Sequence, residues 1–113
     1  MNLNEFIERN GIAIAAKANS CEKSFNIIKR DIDLESYDLF EQLILFSSVD
    51  SLIKSIEGQI LPRIWTQGNT KCVVCQPTQN QVIALFYDGQ LDAKNEYFHA
   101  QKLDSELKEL EDL

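Results

Sequence analysis

The sequence predicts a single α+β domain over residues 1–113 with the element order helix, two strands, helix, three strands and helix (αββαβββα). Apolar residues recur at three- and four-residue steps in three segments, which is typical of helices, whereas shorter apolar segments between turn residues are typical of strands. The last three strands have connections too short for parallel crossovers, so we expect antiparallel pairing. With 44% apolar residues, two prolines and four glycines, the chain has no long linker, and one core is expected.

The N-terminal segment predicts a short helix followed by two strands. Apolar residues have helical spacing within 2–10, and Asn10-Gly11 supplies residues that tolerate a left-handed helix end. Two apolar stretches then flank a polar loop, and we interpret both as strands, although the first is rich in alanine and also fits a helix. The strands are Gly11–Ala18 and Phe25–Ile32, and the loop covers residues 19–24.

The longest predicted helix follows Asp33, whose side chain suits an N-terminal cap, and continues to Gly58. Its regular apolar positions form a stripe that additional apolar residues widen beyond the needs of one core contact. A second surface is therefore expected to cover part of this helix. The regular positions are Leu34, Tyr37, Phe40, Leu43, Ile44, Val49, Leu52, Ile53 and Ile56, and the additional ones are Leu39, Leu45 and Phe46.

The C-terminal half predicts three antiparallel strands and a final helix. Short polar segments at 67–69 and 77–80 suit hairpin connections. Residues 82–87 are apolar on both alternating faces, which is typical of a central strand that is covered on both sides. Asp92 suits the cap of the last helix. The strands are Ile60–Thr66, Thr70–Gln76 and Gln81–Asp88, and the apolar stripe of the helix comprises Ala100, Leu103, Leu107 and Leu110.

Composition narrows the classes of partner and the cellular location. Eighteen acidic and eleven basic side chains give a net charge of −7, which repels phosphate backbones, so nucleic acid is not an expected partner. The apolar runs are far shorter than the roughly 20 residues of a membrane-spanning helix, so no membrane span is expected. The N-terminus lacks the pattern of a secretory signal, and three cysteines are an odd, sparse set. A reducing cytoplasm is the expected location.

Residues with reactive side chains do not combine into a recognisable catalytic or cofactor site. Cys72-Val-Val-Cys75 is the one formal motif, but residues three apart on a strand point to opposite faces, so the two thiols are expected to diverge inside the core. Cys21 lies in a polar loop and is expected to be exposed, and His99 is expected on the surface or in a hydrogen bond. No glycine pattern suits a phosphate, and we expect no metal, cofactor or enzymatic activity.

Trp65 beside Arg63 is the feature most typical of a binding surface. Tryptophan and arginine are enriched in protein-binding hot spots, and this first strand of the meander is expected at a sheet edge. The alternative interpretation is that Trp65 packs under a helix, and the sequence favours neither interpretation.

The element order resembles that of the roadblock family, the dynein-light-chain-like domains also found in bacterial and Ragulator-type regulators of small GTPases. The resemblance is clearest over residues 34–110, whereas the loop at 19–24 lacks the Asp-Gly turn usual in the family. It is carried by the long helix, the meander from Ile64-Trp65-Thr66 to Ala84-Leu85-Phe86-Tyr87-Asp88, and the helix with Ala100, Leu103 and Leu107.

The resemblance implies an antiparallel five-stranded sheet with the long central helix on one face and the terminal helices on the other. It also implies a homodimer or heterodimer in which the long helices pack together and the first meander strands pair across a two-fold axis. Such modules have no catalytic residues and act as platforms for GTPases or motor subunits. By position, the dimer interface would contain Leu43, Phe46, Val49 and Ile53 on the helix and Ile64, Trp65 and Thr66 on the strand.

We therefore expect a cytoplasmic, non-enzymatic adaptor that forms a homodimer and binds another protein, with a small GTPase as the candidate partner. Two alternatives remain at this stage. An acidic chaperone resembling those of bacterial secretion systems would also be small, acidic, dimeric and mixed in secondary structure. A thiol- or metal-dependent enzyme would instead use Cys72 and Cys75.

Overall fold

The structure is a computed structural model that describes residues 2–19, 21–22, 24–34, 40, 54, 57–58 and 61–110. These residues form two helices and five strands. The helices are α1 (Leu3–Arg9) and α2 (Ala93–Lys108), and the strands are β1 (Ile14–Asn19), β2 (Ser24–Lys29), β3 (Arg63–Gln67), β4 (Thr70–Thr78) and β5 (Gln81–Asp88). The body of the predicted long helix, residues 35–39, 41–53 and 55–56, lies outside the described residues.

The five strands form one antiparallel sheet in the order β2-β1-β5-β4-β3. The predicted central position of β5 is confirmed, because β5 pairs with β1 on one side and with β4 on the other. Residues 82–87 are buried throughout, as expected for a strand whose two faces are both covered. The antiparallel fold class is confirmed, and β2 and β3 are the edge strands of the described sheet.

Each face of the sheet carries its own apolar cluster. Alternate residues of β5 supply Val82, Ala84 and Phe86 to the first face and Ile83 and Leu85 to the second. The first cluster also contains Ala13, Ile14, Ala16, Leu34, Phe40, Cys72 and Val74. The second cluster contains residues of both helices, namely Leu3, Phe6, Ile7, Ala100, Leu103 and Leu107, so α1 and α2 cover the second face.

Side-chain caps position both helices. Asn2 Oδ1 accepts a hydrogen bond from the backbone N–H of Glu5 at 2.9 Å, and Asp92 Oδ1 accepts one from Asn95 at 2.8 Å. The predicted cap of the last helix is thereby confirmed. Of its predicted apolar stripe, Ala100, Leu103 and Leu107 are fully buried, and Leu110 packs against the same cluster just beyond the helix. No helix in the described ranges is long and apolar enough to cross a bilayer.

The first hairpin forms without an Asp-Gly turn. Asn19 Oδ1 accepts hydrogen bonds from the backbone N–H groups of Cys21 and Glu22, each at 3.0 Å, and this Asx-type turn reverses the chain. The alanine-rich stretch is a strand, because β1 pairs antiparallel with β2 and β5 along its whole length. The helical alternative for this stretch is therefore excluded.

Candidate protein-binding site

β3 ends the sheet and carries the residues that the sequence singled out. It follows Pro62 and begins at Arg63, three residues later than predicted, and within the described sheet it pairs only with β4. Gln67 pairs with Thr70 across a two-residue turn in which Gly68 has a φ of +60°. The two residues that flank such a turn exchange both of their backbone hydrogen bonds. Along β3, every second residue counted from Gln67 is therefore hydrogen-bonded to β4. Ile64 and Thr66 consequently direct their backbone N–H and C=O groups outward from the sheet edge.

The side chains of β3 alternate between the two faces. Trp65 is half-buried and packs against the first cluster, and the guanidinium carbon of Arg63 lies 5.0 Å from the centre of its ring. This distance is within the range of a cation–π interaction. Ile64 instead packs against the second cluster, and Thr66 is exposed. The two interpretations of Trp65 are thus compatible, because part of the ring packs on the core while part remains accessible at the edge.

A cavity of about 370 Å³ opens beside β3 on the second face, where α2 begins. Among the described residues that line it, the acidic side chain is Glu96, which is only 4% exposed. Glu96 Oε2 and the neighbouring hydroxyl of Tyr87 are both shielded from solvent. The residues that line the cavity are Ile64, Thr66, Lys71, Leu91, Ala93 and Glu96.

The buried groups beside this cavity influence one another electrostatically. Burial and, after it, the charge of Glu96 raise the pKa of the Tyr87 phenol well above its usual value. A hydrogen bond between the Tyr87 hydroxyl and the Glu96 carboxylate raises the pKa of the phenol further, so the two buried groups lie beside each other. His99 packs edge-on against the Tyr87 ring, with the ring centres 5.4 Å apart.

Comparison with solved structures identifies the fold. The crystal structure of MglC from Myxococcus xanthus matches with a TM-score of 0.54 and 14% sequence identity, over 94% of this chain and 99% of that chain. The described elements follow one another as helix, two strands, three strands and helix, and the central helix of the expected order lies outside the described residues. The fold is roadblock-like.

Two other structures match with lower TM-scores. Myxococcus xanthus MglB has a TM-score of 0.49 and 9% identity, over 92% of this chain and 86% of that chain. A Roadblock/LC7 domain from Streptomyces avermitilis has a TM-score of 0.49 and 13% identity, over 96% of both chains. No protein-family model matches the sequence, and no curated protein matches it either.

The roadblock-like sheet brings together only part of the predicted interface. Ile64, Trp65 and Thr66 lie side by side on the edge strand. The helix positions Leu43, Phe46, Val49 and Ile53 lie outside the described residues, so their role remains a prediction.

The two cysteines of the formal motif occupy opposite faces of the roadblock-like sheet, as predicted. Cys72 belongs to the first cluster and Cys75 to the second, and neither thiol is exposed. Burial raises the pKa of both thiols, and for Cys75 the nearby Asp104 carboxylate raises it further. Both thiols are therefore protonated at neutral pH, which makes them poor nucleophiles and poor metal ligands. Cys21 is exposed in the first hairpin loop, as expected.

Glu96 is the polar residue that the sequence analysis missed. It lies four residues before Ala100 and seven before Leu103, so it belongs to the buried side of α2, where the helical spacing alone would have placed it. A glutamate is rarely buried, and the composition of the helix gave no reason to expect it there.

Proposed function

We propose that this chain is a non-enzymatic adaptor that dimerises through β3 and binds another protein, with a small GTPase as the expected partner class. The observation that carries the proposal is the edge position of the strand bearing Arg63 and Trp65. An edge strand with outward backbone groups is a template for pairing with a further strand. Pairing with the same strand of a second copy is self-complementary and gives a closed two-fold dimer.

The proposed dimer interface has a strand part and a helix part. Ile64, Trp65 and Thr66 supply the strand part, where backbone hydrogen bonds would continue the sheet into the second copy. The helix part consists of Leu43, Phe46, Val49 and Ile53, whose apolar side chains would pack against the same helix of the other copy. Together the two parts would bury apolar surface that the sequence provides in excess of one core.

The roadblock-like fold supports the adaptor role, because members of the family that the sequence resembles act as platforms for small GTPases. The arrangement of the buried thiols also supports a non-enzymatic role. Cys72 and Cys75 are separated by the sheet and are protonated at neutral pH, so they are unsuited to thiol chemistry or to holding a shared metal ion.

The dimer is tested by replacing one outward backbone donor. Thr66→Pro removes an N–H group at the free edge of β3, whereas Thr66→Val keeps that group and changes only the exposed side chain. We expect the wild-type chain and Thr66→Val to be dimers at micromolar concentration in light scattering. Thr66→Pro should raise the dissociation constant of the dimer by about tenfold or more, because one or two interface hydrogen bonds are lost. A wild-type monomer under these conditions would contradict the proposed dimer.

Partner binding is tested separately with purified small GTPases of the source organism. The wild-type chain is titrated with each GTPase in the GDP-bound state and in the state bound to a non-hydrolysable GTP analogue. We expect saturable binding to at least one of them. If the chain dimerises but binds none of the GTPases, the proposed dimer is supported and the proposed partner class is contradicted.

A further inference from the structure

We propose that the outer side of α2 binds an acidic segment of a partner protein that also carries apolar side chains. In the described part of the chain, four large apolar side chains are exposed, and three of them lie at or just before the start of α2. These are Leu91, Tyr97 and Phe98, which are 54%, 47% and 52% exposed. Single exposed apolar residues are common on protein surfaces, whereas a group of them at one place is typical of an interaction site.

The packing of α2 on the sheet does not require the two exposed rings. Ala100, Leu103 and Leu107 form the apolar stripe that faces the second cluster, and all three are fully buried. A helix that packs on one layer needs apolar residues on one side only. Tyr97 and Phe98 lie outside this stripe, and their rings lie beside each other with the ring centres 6.1 Å apart. The helix therefore has a second apolar side, which faces solvent.

The charged side chains around these rings are basic. Lys94 and Lys102 are exposed and lie one helical turn before and after Phe98. The ammonium of Lys94 lies 5.9 Å from the centre of the Phe98 ring, and neither lysine has an ion-pair partner among the described residues. Within residues 93–103 the one acidic residue is Glu96, which is on the buried side. In a chain with a net charge of −7, this side of α2 is locally positive and complements an acidic segment.

The cavity beside β3 adjoins the rings and offers a place for one apolar side chain of the partner. Leu91 and Ala93 belong to its lining, and Ala93 lies one helical turn before Tyr97, so the cavity and the rings share one surface. Its volume of about 370 Å³ is at the lower end of the range for organic ligand sites, about 300–1,000 Å³. A segment with an apolar residue here and carboxylates beside Lys94 and Lys102 would complement both features.

A second copy of the chain is a less suitable occupant than an acidic partner. Two-fold pairing of this side of α2 would bring the same patch of both copies together, so Lys94 and Lys102 would face like charges.

A membrane surface is also less suitable. A helix that lies on a membrane has a continuous apolar side, whereas the exposed side of α2 continues from Phe98 to the polar residues Gln101 and Ser105. A concave, apolar-lined site beside the rings suits the side chains of a protein segment better than a flat lipid surface.

The inference adds a second binding surface to the proposed adaptor and rests on that function only in requiring a protein partner. The outer side of α2 does not contain the outward backbone groups of β3 that the proposed dimer uses. The two proposals can therefore fail independently. A dimer that binds no acidic segment would overturn this inference alone.

The test is a titration of the full wild-type chain with three capped peptides, followed by NMR of the backbone amides. The first peptide is acetyl-Asp-Leu-Phe-Asp-Leu-amide. The second has lysine in place of both aspartates, and the third has serine in place of the leucines and the phenylalanine. We expect the first peptide to bind with a dissociation constant on the order of millimolar and the other two to bind about tenfold more weakly. The amide shifts should centre on Leu91, Tyr97 and Phe98.

Two variants test the apolar part of the surface. Phe98→Ser removes an exposed ring and should weaken binding of the first peptide by about tenfold. Ile27→Ser is the matched control, because Ile27 is also an exposed large apolar residue but lies on β2, at the other edge of the sheet from β3. It should leave binding unchanged. Both positions are exposed, so circular dichroism should show a folded chain in each case.

Charge reversal tests the basic part of the surface. Lys94→Glu/Lys102→Glu should weaken binding of the first peptide by about tenfold and strengthen binding of the lysine peptide. The control Lys29→Glu reverses an exposed charge on β2 and should change neither. The strengthened binding of the lysine peptide would show that the double variant is folded and that the charges at these two positions select the ligand.

Several outcomes would overturn the proposal. These are equal binding of all three peptides, amide shifts centred on β2, and unchanged binding to Phe98→Ser. Vesicles of phosphatidylcholine and phosphatidylserine test the membrane alternative by co-sedimentation. Vesicle binding that Phe98→Ser abolishes, without binding of the first peptide, would assign this side of α2 to a membrane surface and not to a protein segment.

Discussion

At the scale of single residues, Gly89 determines the shape of the surface around the buried carboxylate. A Cβ atom at this position would contact Glu96 Oε2 and would lie 2.8 Å from Cγ of Lys71. Atoms of these two side chains therefore occupy the space that any other residue at position 89 would need. The glycine is required here by close approach, since its backbone conformation is not in the left-handed region.

Gly89→Ala should consequently lower the free energy of unfolding by about 1–3 kcal/mol, because the added methyl group overpacks the buried side chain of Glu96. Urea denaturation monitored by circular dichroism measures this loss. Shortening the carboxylate side chain in the double variant Gly89→Ala/Glu96→Ala relieves the contact, so the two substitutions should not be additive. Additive effects, or a single variant as stable as the wild type, would contradict the steric explanation.

At the scale of the elements, side-chain caps explain where the chain changes direction. Asp92 ends the connection after β5 by accepting the N–H of Asn95, and its other carboxylate oxygen accepts from the Asn95 side chain at 3.1 Å. This cap fixes the start of α2 and thereby the positions of Ala93 and Glu96 at the cavity. Asn19 has the corresponding role in the first hairpin.

Asp92→Ala should destabilise the fold by about 1 kcal/mol, because an N–H group at the start of α2 loses its acceptor. Asp92→Asn keeps an acceptor oxygen at the same place and should cost clearly less. Both changes are measured by urea denaturation of the purified variants. If the asparagine variant proved as unstable as the alanine variant, the hydrogen bond to Asn95 would not be the source of the stabilisation.

At the scale of the whole molecule, the sequence predicted the elements better than it predicted the site. Apolar alternation identified the central strand at 82–87, since a strand buried on both faces needs apolar residues on both. Short connections identified the antiparallel meander, and Asp92 identified the start of α2. These features depend on local spacing, which the sequence shows directly.

The cavity could not be predicted in the same way. The cavity lies between β3, the part of β4 where Lys71 pairs with Tyr87, and the first turns of α2. β3 and α2 are distant in sequence. The face on which Ile64 lies, as opposed to Trp65, depends on the register of β3 against β4. A single helical wheel places Glu96 on the buried side, but only the tertiary packing shows that its carboxylate lies beside the buried hydroxyl of Tyr87.

The two buried thiols make the stability of the whole domain sensitive to alkaline pH. Burial raises the pKa of Cys72 and of Cys75 in the folded chain, whereas a thiol in the unfolded chain titrates near pH 8.5. Below that pH the thiols are protonated in both the folded and the unfolded chain, so their full contribution to the free energy of unfolding is present. Above it the unfolded chain releases the protons while the folded chain retains them, so the free energy of unfolding should fall as pH rises.

Between about pH 8.5 and 10, each thiol should contribute a loss approaching 1.4 kcal/mol per pH unit. Urea denaturation with a reducing agent, repeated at half-unit intervals from pH 7.5 to 10, measures this slope. Cys72→Ala should make the decrease in the free energy of unfolding with pH shallower, because only one buried thiol then remains. Cys21→Ala is the matched control, since that thiol is exposed and its removal should leave the slope unchanged. A Cys72→Ala variant with the wild-type slope would show that the buried thiols do not cause the alkaline instability.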